Sequence, residues 1–336
     1  MTPRERVLSA LLGEEKKEVV ASCVTQVGTV EAMEKLGIFW PEAHKDPEKM
    51  VDLGASLHKL TGLETCRIPF CLTVQAEALG CEVDMGTKDR QPSIKGHLPF
   101  IPESLPPDFL ERGRIPVIIK AVELMKRKYG DLPKIVGLEA VTTLTGHILG
   151  VENMLKMLIR QRDAVVKALD LCVKANTEYA KALIDAGAEV IVPCDPTASP
   201  EVISPRDFAT LIKPRLKELA DVIRKKGAVG VLHICGRAQR IVKDMAETGF
   251  HALSVEEKVN IKEAKAMIGP KPVLVGNVSS AKTLLMGTPA QVEEEARAAI
   301  EAGVDVLAPG CGIAPHTPLV NIRALVEAAK RYGRRN

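Results

Sequence analysis

Short apolar runs alternate with amphipathic segments along most of the chain. Eight runs rich in valine and isoleucine predict strands, at residues 19–24, 66–74, 134–138, 189–194, 228–235, 251–255, 272–277 and 304–309. The segments between them repeat apolar residues at positions i, i+3, i+4 and i+7 and predict helices, as at 154–186, 205–226, 239–248 and 289–302. Strands that are apolar throughout are typical of a parallel sheet covered on both faces. The pattern therefore predicts an α/β protein.

The number of strands favours a (β/α)8 TIM barrel over an open doubly wound sheet. No Gly-Xaa-Gly-Xaa-Xaa-Gly motif follows the first strand, so nothing indicates a dinucleotide crevice. A helical extension is predicted before the first strand, and the proline-rich segment 81–114 is predicted to be a long loop after the second. We expect this loop to lie as a flap beside the mouth of the barrel. No linker interrupts the sequence, so residues 1–336 are predicted to form a single domain.

Composition excludes several classes of partner. The 46 basic and 43 acidic residues nearly balance, and aromatic residues are only 3% of the chain, so we expect no nucleic-acid partner. The longest uncharged stretch, 306–322, contains three prolines and cannot form a membrane-spanning helix. No signal peptide is recognisable at the start of the sequence. Eight cysteines without a Cys-Xaa-Xaa-Cys pair suit a reducing compartment, so we expect a cytoplasmic protein.

Sulfur and imidazole side chains stand at two of the predicted strand ends. His233 and Cys235 are two residues apart on the fifth strand and therefore point to the same face. Cys311 follows the eighth strand between two glycines that leave room for a ligand. One imidazole and two thiolates with an open fourth position describe a zinc site. The alternative is that these cysteines are small hydrophobic residues in the core.

Other polar residues follow neighbouring strands at the same face. Glu256 follows the sixth strand and is a candidate for a fourth, displaceable metal ligand; the alternative is a solvated glutamate pair that opens the next helix. Asp195 and Asn277 follow the fourth and seventh strands. Either could bind substrate or hydrogen-bond His233, and either could merely cap the following turn.

Several segments in this order resemble the uroporphyrinogen decarboxylase superfamily, and within it the methylcobamide:coenzyme M methyltransferases. They are VLHICG at 231–236, ALSVEEKV at 252–259, LVGNVSS at 274–280 and VLAPGCGIAPHTPL at 306–319, with TPRERVLSALLGE, ASCVTQVGTVE and FWPEAHKDPE upstream. The resemblance covers nearly the whole chain. It implies a TIM barrel that binds one zinc ion through His233, Cys235 and Cys311.

The resemblance also implies a reaction. Members of this branch transfer a methyl group from a methylated corrinoid on a partner protein to the thiol of coenzyme M, 2-mercaptoethanesulfonate, in methanogenesis from methanol or methylamines. The sequence does not decide between these two methyl sources. By analogy with cobalamin-independent methionine synthase, Glu256 is expected to be the extra zinc ligand, with Glu257 as the alternative. True uroporphyrinogen decarboxylases lack the zinc triad.

The sulfonate of the implied acceptor requires a cationic or hydrogen-bonding anchor. Arg67 on the second strand and Arg237 after the fifth are the candidates, with surface roles as the alternative for both. His316, in the loop after Cys311, is expected to be structural because three zinc ligands are already present. Two other functions stay open: a metal-independent decarboxylase or another tetrapyrrole-handling enzyme, and a module that binds a corrinoid without turnover.

Overall fold

Eight parallel strands form one curled sheet in the computed structural model, which describes residues 1–14 and 17–335. Their bounds are β1 Val20–Ala21, β2 Cys66–Ile68, β5 Lys134–Glu139, β6 Val190–Cys194, β7 Val229–Ile234, β8 Ala252–Val255, β9 Val273–Val278 and β10 Val306–Pro309. The order across the sheet is β1-β10-β9-β8-β7-β6-β5-β2. Each strand coincides with one of the eight predicted runs, and the predicted (β/α)8 architecture is confirmed.

Helices precede, connect and follow these strands. They are α1 Pro3–Leu11, α2 Val30–Leu36, α3 Pro47–Gly54, α4 Ser56–Thr61, α5 Val74–Leu79, α6 Ile115–Lys128, α7 Val141–Leu149, α8 Val151–Arg160, α9 Arg162–Ala186, α10 Pro205–Asp207, α11 Lys213–Lys225, α12 Val242–Glu247, α13 Ile261–Ile268, α14 Pro289–Glu301 and α15 Leu319–Tyr332. Short 3-10 turns lie at Glu42–His44, Phe109–Glu111, Pro196–Ala198 and Ala238–Ile241, and π-helical turns at Phe208–Ile212 and Ser280–Leu285. No helix in the described ranges is long and apolar enough to span a membrane.

The first and second strands meet through a few hydrogen bonds at the point where the sheet closes. The backbone N–H of Glu64 donates to the carbonyl of Ala21 at 3.1 Å, and the hydroxyl of Ser22 donates to the carbonyl of Glu64 at 2.7 Å. Thr65 donates its hydroxyl to the carbonyl of Cys23 at 2.7 Å. Both strands are too short to form a long ladder of their own. These bonds take its place and hold β1 beside β2.

Helix α1 closes the N-terminal end of the barrel. Val7, Ala10 and Leu11 are fully or almost fully buried, and they pack against the inward-facing residues of the strands, such as Val190 and Val306. The helix begins with a capping box in which Thr2 and Glu5 satisfy each other's backbone N–H groups. The predicted helical extension is therefore the floor of the barrel, and it leaves the opposite end open.

The structure departs from the predicted elements in several places, of which two have a clear local cause. The second strand ends at Ile68, because Pro69 follows it and cannot donate to a ladder. The predicted helix 154–186 is two helices, α8 and α9, which separate at Gln161, where the backbone is not helical.

The segment 81–114 is not irregular throughout. It contains a two-stranded antiparallel hairpin, β3 Glu82–Asp84 and β4 Ser93–Gly96. Both strands are short and polar, so their sequence gives only a weak strand signal.

Candidate metal centre

Three side chains from two strand ends come together at the open end of the barrel. His233 lies on β7, Cys235 follows β7 directly, and Cys311 follows β10. One ligand atom from each lies within 4.8 Å of the others, which makes the group compact enough to hold one metal ion. The Nε2 atom of His233 is 3.7 Å from the sulfur of Cys311. The structure thus brings together the three residues that the sequence predicts as metal ligands.

The orientation of the imidazole is fixed from its other side. The Nδ1 atom of His233 is 3.0 Å from the hydroxyl oxygen of Ser254, and the two residues are register partners on adjacent strands β7 and β8. With Nδ1 engaged by Ser254, Nε2 is the nitrogen that faces the two sulfurs. Such a partner on the far ring nitrogen is typical of histidines that bind metals.

The two sulfurs strongly affect each other's protonation. A hydrogen bond from the thiol of Cys235 holds the pKa of Cys311 well below its usual value, and His233 lowers it further. The same hydrogen bond, together with burial, raises the pKa of Cys235 far above its usual value. Of the two, Cys311 is therefore the sulfur that loses its proton more readily. A divalent cation that binds thiolates would displace the protons that remain on the pair.

Glu256 lies beside the triad but outside the compact group of three. Its Oε2 accepts a hydrogen bond from the backbone N–H of Gly236, and its Oε1 is 3.6 Å from the ammonium of Lys258. Gly236 directly follows Cys235, so this hydrogen bond places the carboxylate beside the end of β7, where its negative charge contributes to the raised pKa of Cys235. Glu257, the alternative ligand, accepts a hydrogen bond from the hydroxyl of Ser279 at 3.0 Å. Helix α13 begins only at Ile261, so neither glutamate opens a helix.

A cavity of about 240 Å³ leads from the triad into the mouth of the barrel. Apart from the three ligand candidates, its wall contains Thr25, Gln26, Arg67, Phe70, Cys71, Leu72, Gln91, Cys194, Pro196 and Gly312. Gln91 belongs to the turn between β3 and β4, so the hairpin reaches over the cavity as the predicted flap. The wall is mainly apolar, with one cationic side chain.

That cation is Arg67, whose side chain is 2% exposed. Its guanidinium donates to the carbonyl of Pro69, while its Nε is buried without a hydrogen-bond partner. No carboxylate in the described ranges forms an ion pair with it, although a buried charge is costly unless it is paired. Arg67 is therefore a buried, unneutralised cation in the wall of the cavity.

Arg237 lies elsewhere. Its side chain is 75% exposed and stands 3.5 Å from a carboxylate oxygen of Glu201. The structure thus separates the two predicted sulfonate anchors: Arg67 lines the cavity and Arg237 lies at the surface.

Asp195 caps a helix. Its carboxylate accepts hydrogen bonds from the backbone N–H groups of Thr142 and Thr143, at 3.1 and 2.7 Å, in the first turn of α7. The hydroxyl of Thr143 donates to it as well, at 2.9 Å. Burial raises the pKa of Asp195 to about 6. With its oxygens engaged by α7, Asp195 contacts neither His233 through its side chain nor the cavity.

Asn277 holds the loop that carries the two glutamates. Its amide group donates to the carbonyls of Glu256 and Val259, at 3.2 and 2.8 Å. It therefore acts on the position of Glu256 and does not reach His233. Ser279 caps the following turn by accepting a hydrogen bond from the backbone N–H of Lys282. His316 is 64% exposed and pairs with Asp89 on the flap, so it lies outside the metal centre.

Sequence reasoning missed three contributors to the site. Ser254 could have been found from register, since it lies two residues before Glu256 on an inward-facing strand position. The inward direction of Cys194, which pairs in register with His233, could have been found in the same way. The contact of Gln91 with the cavity could not have been found from the sequence, because it depends on the fold of the hairpin.

Comparison with known proteins identifies relatives over the whole chain. The sequence profile of the uroporphyrinogen decarboxylase (URO-D) family matches residues 2–332. A methylcobamide:CoM methyltransferase, MtaA of Methanosarcina barkeri, is 45% identical over 98% of both chains. The methylcobamide:CoM methyltransferase MtbA of Methanosarcina mazei is 38% identical over 98% of both. A solved methyltransferase structure from Methanosarcina mazei superimposes with a TM-score of 0.94 and 46% identity, covering 99% of each chain.

Proposed function

Because this chain belongs to the uroporphyrinogen decarboxylase family, and within it to the methylcobamide:CoM methyltransferases, we propose that it transfers a methyl group from a methylated corrinoid protein to the thiol of coenzyme M. The observation that carries the proposal is the His-Cys-Cys group at the end of a cavity whose wall contains a buried, unpaired arginine. The acceptor, 2-mercaptoethanesulfonate, has a thiol at one end and an anion at the other, and the cavity offers a counterpart for each.

The donor set suits zinc. One imidazole nitrogen and two sulfurs form the ligand set of three-ligand zinc sites that keep a fourth position open. His233 would bind through Nε2, because Nδ1 is engaged by Ser254, and Cys235 and Cys311 would bind as thiolates. When bound, zinc keeps the sulfur of the acceptor deprotonated at neutral pH, where a free thiol with a pKa near 8.5 is mostly protonated.

The protein's own residues orient the acceptor for transfer. Arg67 binds the sulfonate and thereby directs the thiol towards His233, Cys235 and Cys311. The sulfur then forms a bond to the methyl carbon as the cobalt–carbon bond breaks, and both electrons of that bond stay on cobalt, which leaves as Co(I). The acceptor's proton must leave as its sulfur becomes a thiolate. Glu256 is the carboxylate that we assign to receive it, since it accepts a hydrogen bond from the backbone N–H of Gly236, the residue after Cys235.

The corrinoid remains on its carrier protein and docks over the mouth of the barrel. A cavity of about 240 Å³ is far too small for a corrin ring, so only the methyl group can approach the acceptor sulfur. The hairpin with Gln91 and the loop after Cys311 border the opening and are the contact surfaces that we propose.

All eight cysteines are free, which supports a reducing compartment, the cytoplasm.

The role of Glu256 as a displaceable ligand and proton acceptor is tested by Glu256→Gln. We expect this variant to retain zinc through the three other ligands and to transfer methyl about 100-fold more slowly, the lower end of the range for loss of one proton-transfer group. Glu257→Gln is the matched control, because Glu257 is engaged by Ser279. Wild-type thiol binding and transfer in Glu256→Gln would rule out the role.

The reaction itself is tested with free methylcobalamin and 2-mercaptoethanesulfonate under anaerobic conditions, by following the visible absorbance of the corrinoid. We expect thiol-dependent demethylation that Cys235→Ala abolishes together with zinc binding. Decarboxylation of uroporphyrinogen that survives Cys235→Ala would support the metal-independent alternative. Corrinoid binding without turnover by the wild type would support the binding module.

A further inference from the structure

Gly137 on β5 gives Arg67 the space that it occupies. A Cβ atom built on Gly137 would lie 2.0 Å from one guanidinium nitrogen of Arg67 and 2.8 Å from its central carbon. A side-chain carbon cannot come this close to non-bonded atoms, so a Cβ atom here would clash with the guanidinium. Because Ile135, two residues earlier, faces the barrel interior, Gly137 faces it too. The guanidinium therefore lies across the inner surface of β5, over the one position that has no side chain.

The backbone of Gly137 does not itself require a glycine. Its φ lies outside the left-handed region that favours glycine. What excludes a larger residue is the guanidinium alone, because the atoms nearest to the position all belong to Arg67. Gly137 thus serves the placement of one cation.

The cation is held between its own strand end and the far wall of the cavity. Arg67 donates to the carbonyl of Pro69, just after β2, so its side chain runs towards the open end of the barrel. On the other side it lies by Cys194, where it partly offsets the effect of burial, which raises the pKa of that thiol to about 12. Cys194 is the register partner of His233. The direction from Arg67 past Cys194 to the metal centre is therefore set by four adjacent strands, β2, β5, β6 and β7.

We infer that Gly137 is a specificity-determining residue, which makes the site selective for anionic thiols by allowing Arg67 to lie in the wall of the cavity that leads to the metal centre. The inference rests on the proposed function for the identity of the acceptor. A residue larger than glycine at this position displaces the guanidinium, and the site then loses its preference for a thiol with a negative charge over a neutral one. Gly137 acts through Arg67 and contacts no substrate, so it is a positioning residue.

The test compares Gly137→Ala with the wild type, using 2-mercaptoethanesulfonate and neutral 2-mercaptoethanol as acceptors from methylcobalamin. We expect the KM for the anionic thiol to rise about 10- to 100-fold, the range for losing a hydrogen-bonded charge contact. The KM for the neutral thiol and the zinc content should stay unchanged. Gly130→Ala is the matched control, because a Cβ there meets its nearest atom at an ordinary 3.9 Å.

Binding of ethanesulfonate, which has no thiol, separates this inference from the proposed function. We expect it to bind the purified wild type and to bind Gly137→Ala and Arg67→Gln at least about tenfold more weakly. If the two variants bind ethanesulfonate more weakly but the wild type transfers no methyl group, the anion site is supported and the proposed methyl transfer is rejected. An unchanged preference for the anionic thiol and unchanged ethanesulfonate binding in Gly137→Ala would overturn the inference.

A second variant covers the case in which Gly137→Ala does not fold. In the double variant Arg67→Gln/Gly137→Ala the shorter side chain leaves the space free, so we expect it to fold and to discriminate between the thiols as weakly as Arg67→Gln alone. Failure of the double variant to fold would show that the obstacle is not Arg67, and this would also overturn the inference.

Discussion

At the scale of single residues, the metal centre depends on which atom of each ligand faces the others. The sequence could place His233 and Cys235 on one face of a strand, because side chains alternate along it. It could not choose between the two nitrogens of the imidazole, since that depends on a hydroxyl from the neighbouring strand. The 3.0 Å contact between Ser254 and Nδ1 makes this choice.

Ser254→Ala tests that contact. Without the hydroxyl the imidazole loses its orienting partner, so we expect zinc affinity to fall about 10- to 100-fold, the usual cost of removing such a group. Competition with a chromophoric chelator measures the affinity. Ser56→Ala is the control, because Ser56 is equally buried and donates its hydroxyl to the carbonyl of Leu53, on helices outside the site. Equal affinities in the two variants would contradict the role of Ser254.

His316 provides a test of ligand identity. It lies five residues after Cys311, but its side chain is 64% exposed and pairs with Asp89. We therefore expect His316→Ala to keep its zinc and His233→Ala to lose it, as measured by metal analysis of the purified proteins. Because exposed ion pairs contribute little, the stability of His316→Ala should change by less than about 1 kcal/mol. Loss of zinc from His316→Ala would show that the ligand set is wrong.

At the scale of elements, the periodicity of the sequence predicted that each strand exists more accurately than it predicted where each strand begins and ends. The run at 228–235 became β7, Val229–Ile234, whereas the run at 19–24 shrank to Val20–Ala21. Such ends depend on which neighbour a strand finds in the closed sheet, and the local sequence contains no information on this. The same reason explains Asp195: its position after a strand suggested a contact with substrate or with His233, but its carboxylate meets the first turn of a helix that follows another strand.

The cap at Asp195 predicts a pH dependence. Burial raises its pKa in the folded protein from 3.8 to about 6, so the folded state binds more protons than the unfolded state between these values. The contribution of this group is then most favourable at low pH and is lost as the pH rises through about 6, by roughly 3 kcal/mol in total. Urea unfolding of the wild type and Asp195→Asn at pH 4 to 7 measures the difference. A difference that does not vary with pH would contradict the raised pKa.

Helix α1 predicts a large effect far from the metal centre. Leu11 is fully buried against the barrel interior, so Leu11→Ala should lower the free energy of unfolding by about 2–5 kcal/mol, as large-to-small changes in cores do. Leu8→Ala, on the same helix but only half-buried, should cost less. Urea denaturation measures both. Equal losses would mean that α1 does not close the barrel floor in the way described.

At the scale of the whole molecule, one end of the barrel is filled and the other is functional. Helix α1 occupies the N-terminal end, so the cavity opens only at the carboxyl ends of the strands, where barrel enzymes place their chemistry. The sequence predicted this polarity, the metal triad and Arg67. It also suggested Arg237, which lies at the surface. Following a strand end is not enough to reach the cavity, because the turn after each strand decides where the side chain points.

The central claim is that the acceptor's sulfur joins two cysteine sulfurs and one histidine nitrogen at a single zinc ion. X-ray absorption at the zinc edge, on the purified protein with and without 2-mercaptoethanesulfonate, tests it most directly. We predict one zinc per chain, with two sulfur neighbours in the free protein and three after the thiol is added, in keeping with a three-ligand site that has an open position. A shell that keeps two sulfurs at saturating thiol would contradict the account.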